Sequence, residues 1–232
     1  MDQHALVALD PSYRKAGWAA IASGVIGIAS FGLLMTAVTT RVTWIPSDRI
    51  WMLFNTHDFG VALQFLLLLF AIFGLRTLSD QTPPRLGKAA FATGVWAVIF
   101  VVLFVLLGVG GKIVSNGLYM FPQGILGAWL IAVNWRLSGA LPAWKRWFGM
   151  IVGLGLVLTG VCFVGITYVY FPDSLAIPAV APEKLKEVIS PANTFFHQLL
   201  PISSFMGVAT LPFWTILTGF QLLKKRGLAA IA

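Results

Sequence analysis

Two apolar stretches, GLYMFPQGILGAWLIAVNWRL (117–137) and WFGMIVGLGLVLTGVCFVGITYVY (147–170), are separated only by the basic turn SGALPAWKR. Each is long enough to cross a hydrocarbon core of about 30 Å, which takes roughly 20 helical residues. The turn between them therefore belongs at one membrane face. Arg136, Lys145 and Arg146 mark that face as cytoplasmic, because Lys and Arg accumulate there. The topology of the remaining chain can be counted outward from this hairpin.

The 232 residues are 58% hydrophobic and 10% charged, against about 25% charged in soluble domains. The expectation is an all-α polytopic membrane protein, a single domain over 1–232 forming a six-transmembrane-helix bundle with both termini cytoplasmic. The spans fall near 16–40, 48–76, 89–111, 118–137, 147–170 and 191–223. The first follows Arg14 and Lys15 as a secretory signal would, but such signals carry an apolar run of only about 7–15 residues, so it reads as a retained span. On this topology Arg14, Lys15, Arg76, Arg85, Lys88 and the tail Lys224–Arg226 join the hairpin bases on the cytoplasmic side, whereas the other face balances bases with acids. That asymmetry supports the six-span count. The net charge of +8 does not indicate nucleic acid, since the bases occur in small groups between apolar spans and form no stripe.

Local signals refine the elements. In the first span Ala19, Ser23 and Gly27 recur at four-residue spacing, as do Ala20, Gly24, Ile28 and Gly32, and such small-residue stripes let helix backbones approach closely in lipid. Gln123, Gly127, Leu130 and Asn134 share one face of span four, and Gly149, Gly153, Leu156 and Gly160 one face of span five, so the two faces are expected to pack. Pro46 followed by Ser47 and Asp48 reads as a helix start, and Pro182 before EKLKEVIS as the start of a short surface helix. Pro201 and Pro212 withhold amides from the carbonyls of His197 and Val208, predicting a kinked last span.

The hairpin also resembles a known pattern. A glycine-rich span with Trp129, the turn Arg136-Leu137-Ser138-Gly139-Ala140-Leu141-Pro142 and a second glycine-rich span ending at Phe171-Pro172 are similar to the bacterial six-span membrane protein family called domain of unknown function 4386. The resemblance implies the six-helix fold. It implies no catalytic residue, because the family has no assigned activity.

Candidate chemistry is sparse. The acids and bases all fall at or beyond the predicted membrane boundaries, which argues against a proton-driven transporter or a carrier of charged solutes, as these keep ionisable groups within the membrane. Gln64, Gln123 and Asn134 are amides inside spans, and Ser204 follows Pro201 in the last one; these four are candidates to line a ligand cavity, with interhelical hydrogen bonding as the competing role. His57 and His197 lie toward the outer ends of spans two and six. With Asp58 they are candidate ligands for a metal, or as a pair for a b-type haem, the competing reading being interfacial histidines bonded to headgroups or loop backbone. Gln64 stands seven residues beyond His57 and so shares its helical face. The single cysteine, Cys162, permits no intramolecular disulfide.

Three functions remain open. The first is a non-enzymatic accessory or structural subunit that packs with the lipid bilayer or with other membrane protein subunits. The second is a binder or carrier of a small neutral apolar ligand, its cavity reached between spans two, four and six. The third is a haem b redox subunit built on His57 and His197.

Overall fold

The computed structural model describes residues 11–40, 47–81, 86–109, 118–138, 140–170 and 191–229. All regular structure among them is helical: α1 (Pro11–Thr40), α2 (Ser47–Gln81), α3 (Lys88–Val109), α4 (Met120–Arg136), α5 (Ala143–Tyr170), α6 (Pro191–Ser204), a π-helical segment (Phe205–Ala209) and α7 (Leu211–Ala229). Five stretches are long and apolar enough to cross a membrane: Tyr13–Ala37, Met52–Asp80, Lys88–Val109, Ala143–Gly165 and Gln198–Lys224. This is a helical integral membrane protein. α4 is shorter, with 17 residues that rise about 26 Å at 1.5 Å each, and it packs between α3 and α5.

The helix ends follow local chemistry more closely than charge. α2 starts at Ser47, as the Pro-Ser-Asp signal predicts, but runs past Arg76 to Gln81. The prolines at 83 and 84 therefore bound it better than the arginine does, and beyond them Leu86 N–H donates to Ser79 Oγ at 2.5 Å. α5 begins at Ala143, directly after Pro142, so Trp144, Lys145 and Arg146 are helical and the turn of the hairpin is shorter than the sequence pattern implies. The expected surface helix after Pro182 lies outside the described residues.

Each helix packs on its neighbours in sequence, and α7 closes the circuit against α1. α2 runs through the interior, burying Phe65, Leu68, Ile72, Leu75 and Leu78. The perimeter is apolar too: Trp96, Phe100, Leu103 and Leu107 of α3 are exposed, as befits a surface solvated by lipid. At the end that holds the start of α1 and the end of α7, Lys145 Nζ donates to Gln221 Oε1 at 3.0 Å. Trp18, Trp135, Trp144 and Trp147 stand exposed there, where an interfacial aromatic belt would sit.

Glycine sets the spacing where helices meet backbone to backbone. A Cβ at Gly153 would lie 2.6 Å from the Gly127 carbonyl oxygen, and one at Gly219 would lie 2.6 Å from that of Gly17. The stripes of α4 and α5 thus meet as their spacing predicts, and Asn134 fits its amide against Gly149. Larger side chains at these positions would need the helices to part, at a cost of about 1–3 kcal/mol. Gly153→Leu should therefore lower the thermal midpoint of the solubilised protein by several degrees. Gly32→Leu, with nothing within 4 Å of its Cβ, should leave the midpoint unchanged or raise it; scanning fluorimetry of both variants checks this.

Candidate functional site

The last membrane element does not run straight. Pro212 has no amide hydrogen, so Val208 cannot receive the usual bond from four residues ahead. The chain responds with the π-helical turn over Phe205–Ala209, after which Phe213 N–H and Trp214 N–H both reach Thr210 O at 3.1 Å. Thr210 Oγ1 adds hydrogen bonds to the carbonyls of Met206 and Gly207. Such a widened turn is a common cause of a bend. On one side of it α6 packs on α5, with Phe196 against Gly165; on the other α7 packs on α1, with Pro212 and Thr215 against Gly24.

Between the diverging α1 and α6 lies a cavity of about 560 Å³, within the range of small-molecule sites. Its walls are mostly apolar, with Phe31 and Leu34 of α1, Val61 and Phe65 of α2, Leu156 of α5 and Leu200 of α6. Met35 and Phe205 also line it and are themselves exposed, Phe205 by 68%. The cavity thus opens sideways, through the gap between α1 and α6.

Polar groups gather on its inner wall: His57 and Gln64 from α2, Gln123 from α4, Tyr119 just before α4, and Ser204 at the end of α6. Three of the four amide and serine candidates therefore come together. Asn134 does not join them. It sits at the far end of α4, its Nδ2 donating to Leu130 O at 2.8 Å, while Arg146 Nε donates to its main-chain oxygen at 3.1 Å. Its main-chain oxygen thus ties the hairpin, its Oδ1 has no hydrogen-bond partner among the described residues, and its absence from the lining residues is a correction to the sequence reading. The access route is a second correction, because α1 forms a wall that a cavity between spans two, four and six would not include.

His57 is only 4% exposed and lies within the apolar stretch Met52–Asp80, so it is not a histidine facing headgroups. Gly60, one turn further on, has no side chain to meet Ser30 Oγ, and α2 can approach α1 there. His57 Nδ1 consequently comes within 2.8 Å of Ser30 O. A carbonyl only accepts, so Nδ1 carries the hydrogen and, in the neutral ring, Nε2 is an acceptor. Two turns along, Ser23 Oγ donates to Gln64 O at 2.8 Å, holding the two helices in the same register. Asp58 Oδ1 stands 3.9 Å from His57 Nε2, too far for a hydrogen bond. Asp58 is itself buried against its neighbours, near the outer end of the apolar stretch Met52–Asp80.

Gln123 is the least satisfied of these groups. It is 2% exposed, and its Oε1 has no hydrogen-bond partner among the described residues. Leaving such an atom buried and unpaired costs about 1–3 kcal/mol. The sequence flagged the residue but not this deficit, which depends on what lies opposite. Tyr119 and the Ser30 carbonyl were missed altogether, the first because it precedes its helix and the second because main-chain groups leave no mark in a sequence.

Of the candidate haem and metal ligands, His57 and Asp58 stand side by side, and the described residues contain no cluster of three His, Cys, Asp or Glu. The side chain of His197 lies outside the described ones.

No family model, curated protein or solved structure matches the chain.

Because Gln123 Oε1 is buried without a partner, replacing the amide by an apolar group of similar shape removes a penalty from the unliganded protein. Gln123→Leu should raise the thermal midpoint of protein stripped of lipid by about 2–5 °C. Thermal unfolding in detergent reads the shift directly.

Proposed function

We propose that this is a six-span membrane protein, α4 being the remaining span and both termini cytoplasmic, which binds a small neutral amphiphile inside the bundle. The observation that carries the reading is the cavity itself: apolar along its length, polar on its inner wall, and open at the side between α1 and α6. A lipid-soluble molecule diffusing in the bilayer can reach such a site without crossing water. At the roughly 30 Å³ that one water-sized group occupies, the volume accommodates about 18 heavy atoms, the size of one chain with a small head and not of a two-chain phospholipid.

The arrangement suits binding or carriage better than catalysis. His57 donates to a main-chain carbonyl and has no nucleophile bonded to Nε2, while the buried Ser203 donates to Leu200 O at 3.0 Å. The purely structural role suggested by the glycine stripes accounts for tight helix contacts but gives no reason for a cavity that gathers polar side chains from α2, α4 and α6. The same-end placement of the α1 start, the α7 end, the basic hairpin and the exposed tryptophans supports both termini being cytoplasmic. The likeness of the hairpin to domain of unknown function 4386 supports the six-span count.

Native mass spectrometry of gently solubilised protein should detect one retained neutral lipid per chain. Leu34→Trp, which fills the cavity from α1, should lower occupancy at least tenfold with little change in thermal midpoint. No retained lipid, together with no uptake of added single-chain amphiphiles, would overturn the reading. Cysteines placed in the two tails should react only with reagent supplied from the cytoplasmic side.

A further inference from the structure

We infer that the ligand of this cavity carries a hydroxyl as its head, being a long-chain alcohol or a lipid ending in one, and that Gln123, with His57 as the alternative acceptor, recognises it by accepting its hydrogen. The inference rests on the cavity reading above and narrows it to a chemical class. Its basis is the hydrogen-bond inventory of the inner wall.

His57 has a fixed tautomer, because its Nδ1–H is committed to Ser30 O at 2.8 Å. What the ring has left for a ligand is the acceptor Nε2. Gln123 holds a second acceptor, Oε1, that is buried and unpartnered among the described residues. Two acceptors on one wall call for a donor from the ligand. A ketone, an ester or a quinone offers only lone pairs and would leave both unsatisfied. A carboxylate suits the site worse, because no Lys or Arg is among the described lining residues and the Asp58 carboxyl stands 3.9 Å from His57 Nε2, on the side where the ligand head would lie. An alkylammonium would donate, but its charge would leave water for a mostly apolar chamber whose described lining residues include no acid, with Asp58 outside that lining as the one carboxyl near His57 Nε2.

A hydroxyl fits this inventory better. It donates to one of the two acceptors while its lone pairs accept from Gln64 Nε2, Ser204 or Tyr119, each of which lines the same cavity and can donate. It is neutral, so it passes through the bilayer and the gap between α1 and α6 with its chain. A site built around a hydroxyl rejects an analogue lacking it, because the protein group left without a partner stays buried.

The test compares hexadecan-1-ol, its methyl ether and hexadecanoate as ligands of the full chain in nanodiscs of zwitterionic lipid, each titrated by competition against a fluorescent single-chain alcohol. The ether keeps the oxygen and the chain and removes only the hydrogen. The expected result is binding of the alcohol about tenfold or more tighter than the ether, with hexadecanoate weaker still at neutral pH. In Gln123→Leu the alcohol should lose most of that advantage while the ether is unaffected, so that the two affinities converge. Equal affinities of alcohol and ether for the unaltered protein would overturn the hydroxyl assignment and leave the cavity reading standing. Failure of every single-chain ligand to bind would overturn both. The comparison on unaltered protein needs no variant, so a folding defect in Gln123→Leu does not affect it.

Discussion

Proline 212 lacks one hydrogen, and the shape of the molecule follows from that. Within a bilayer a carbonyl deprived of its helical partner has no water to turn to, so the helix must rearrange locally. It does so through the π-helical turn over Phe205–Ala209 and the hydrogen bonds of Thr210. A straight helix would lie against α1 or against α5 along its whole length; the bent one serves α5 with its first half and α1 with its second. Gly155 and Gly207 meet backbone to backbone at the bend, where a Cβ on either would strike the other helix. The space left beside α6 is the cavity. It is a consequence of how the chain satisfies its main-chain groups.

Where the polar wall stands within that space depends on a second relation. His57 to Ser30 O and Ser23 to Gln64 O are separated by seven residues on each helix, and the helices run in opposite directions. The two bonds therefore agree on a single register. Side-chain hydrogen bonds between membrane helices average only about 0.6 kcal/mol, so their energy is modest beside the packing of α1 on α2. Their effect is geometric. They fix the ring tautomer of His57 and hold Gln64 one face along from it, so that both side chains turn toward the chamber. Gly60 permits the approach, since any larger residue there would push Ser30 away.

Much of this was legible beforehand because membrane helices leave simple traces. Apolar length located the five long membrane helices, Ser47 after Pro46 marked the start of α2, and the stripes on α4 and α5 announced a close glycine contact. The seven-residue interval from His57 to Gln64 was enough to put both on one face. What the sequence could not show is relational. Asn134 and Gln123 are both amides on one face of one helix, yet α4 carries Gln123 to the cavity and Asn134 to the hairpin turn beside Gly149 and Arg146. Nothing in either residue type distinguishes these fates; their separation of eleven residues, about 16 Å along α4, does. Likewise α1 reads as a helix made for packing, and its second half becomes a cavity wall only because the bend draws α6 away from it.

An unpaired acceptor such as Gln123 Oε1 carries a cost, and here it stands on a side chain that lines the cavity. Leucine or methionine would fill the same place, and a protein interior generally pairs its buried polar atoms. Asn134 Oδ1 is equally buried and unpartnered among the described residues; what sets Gln123 apart is that its side chain lines the cavity and that of Asn134 does not. On the reading proposed here, Gln123 is kept because its partner arrives with the ligand. The unliganded protein is then less stable than it needs to be, and binding restores the difference. Selectivity has the same origin: a chamber with apolar walls retains many chains of suitable length about equally, whereas an acceptor that must be satisfied discriminates among their heads. That separation of tasks, with length read by the walls and chemistry by one face of α2 and α4, explains why the polar groups are few, buried and confined to the inner wall.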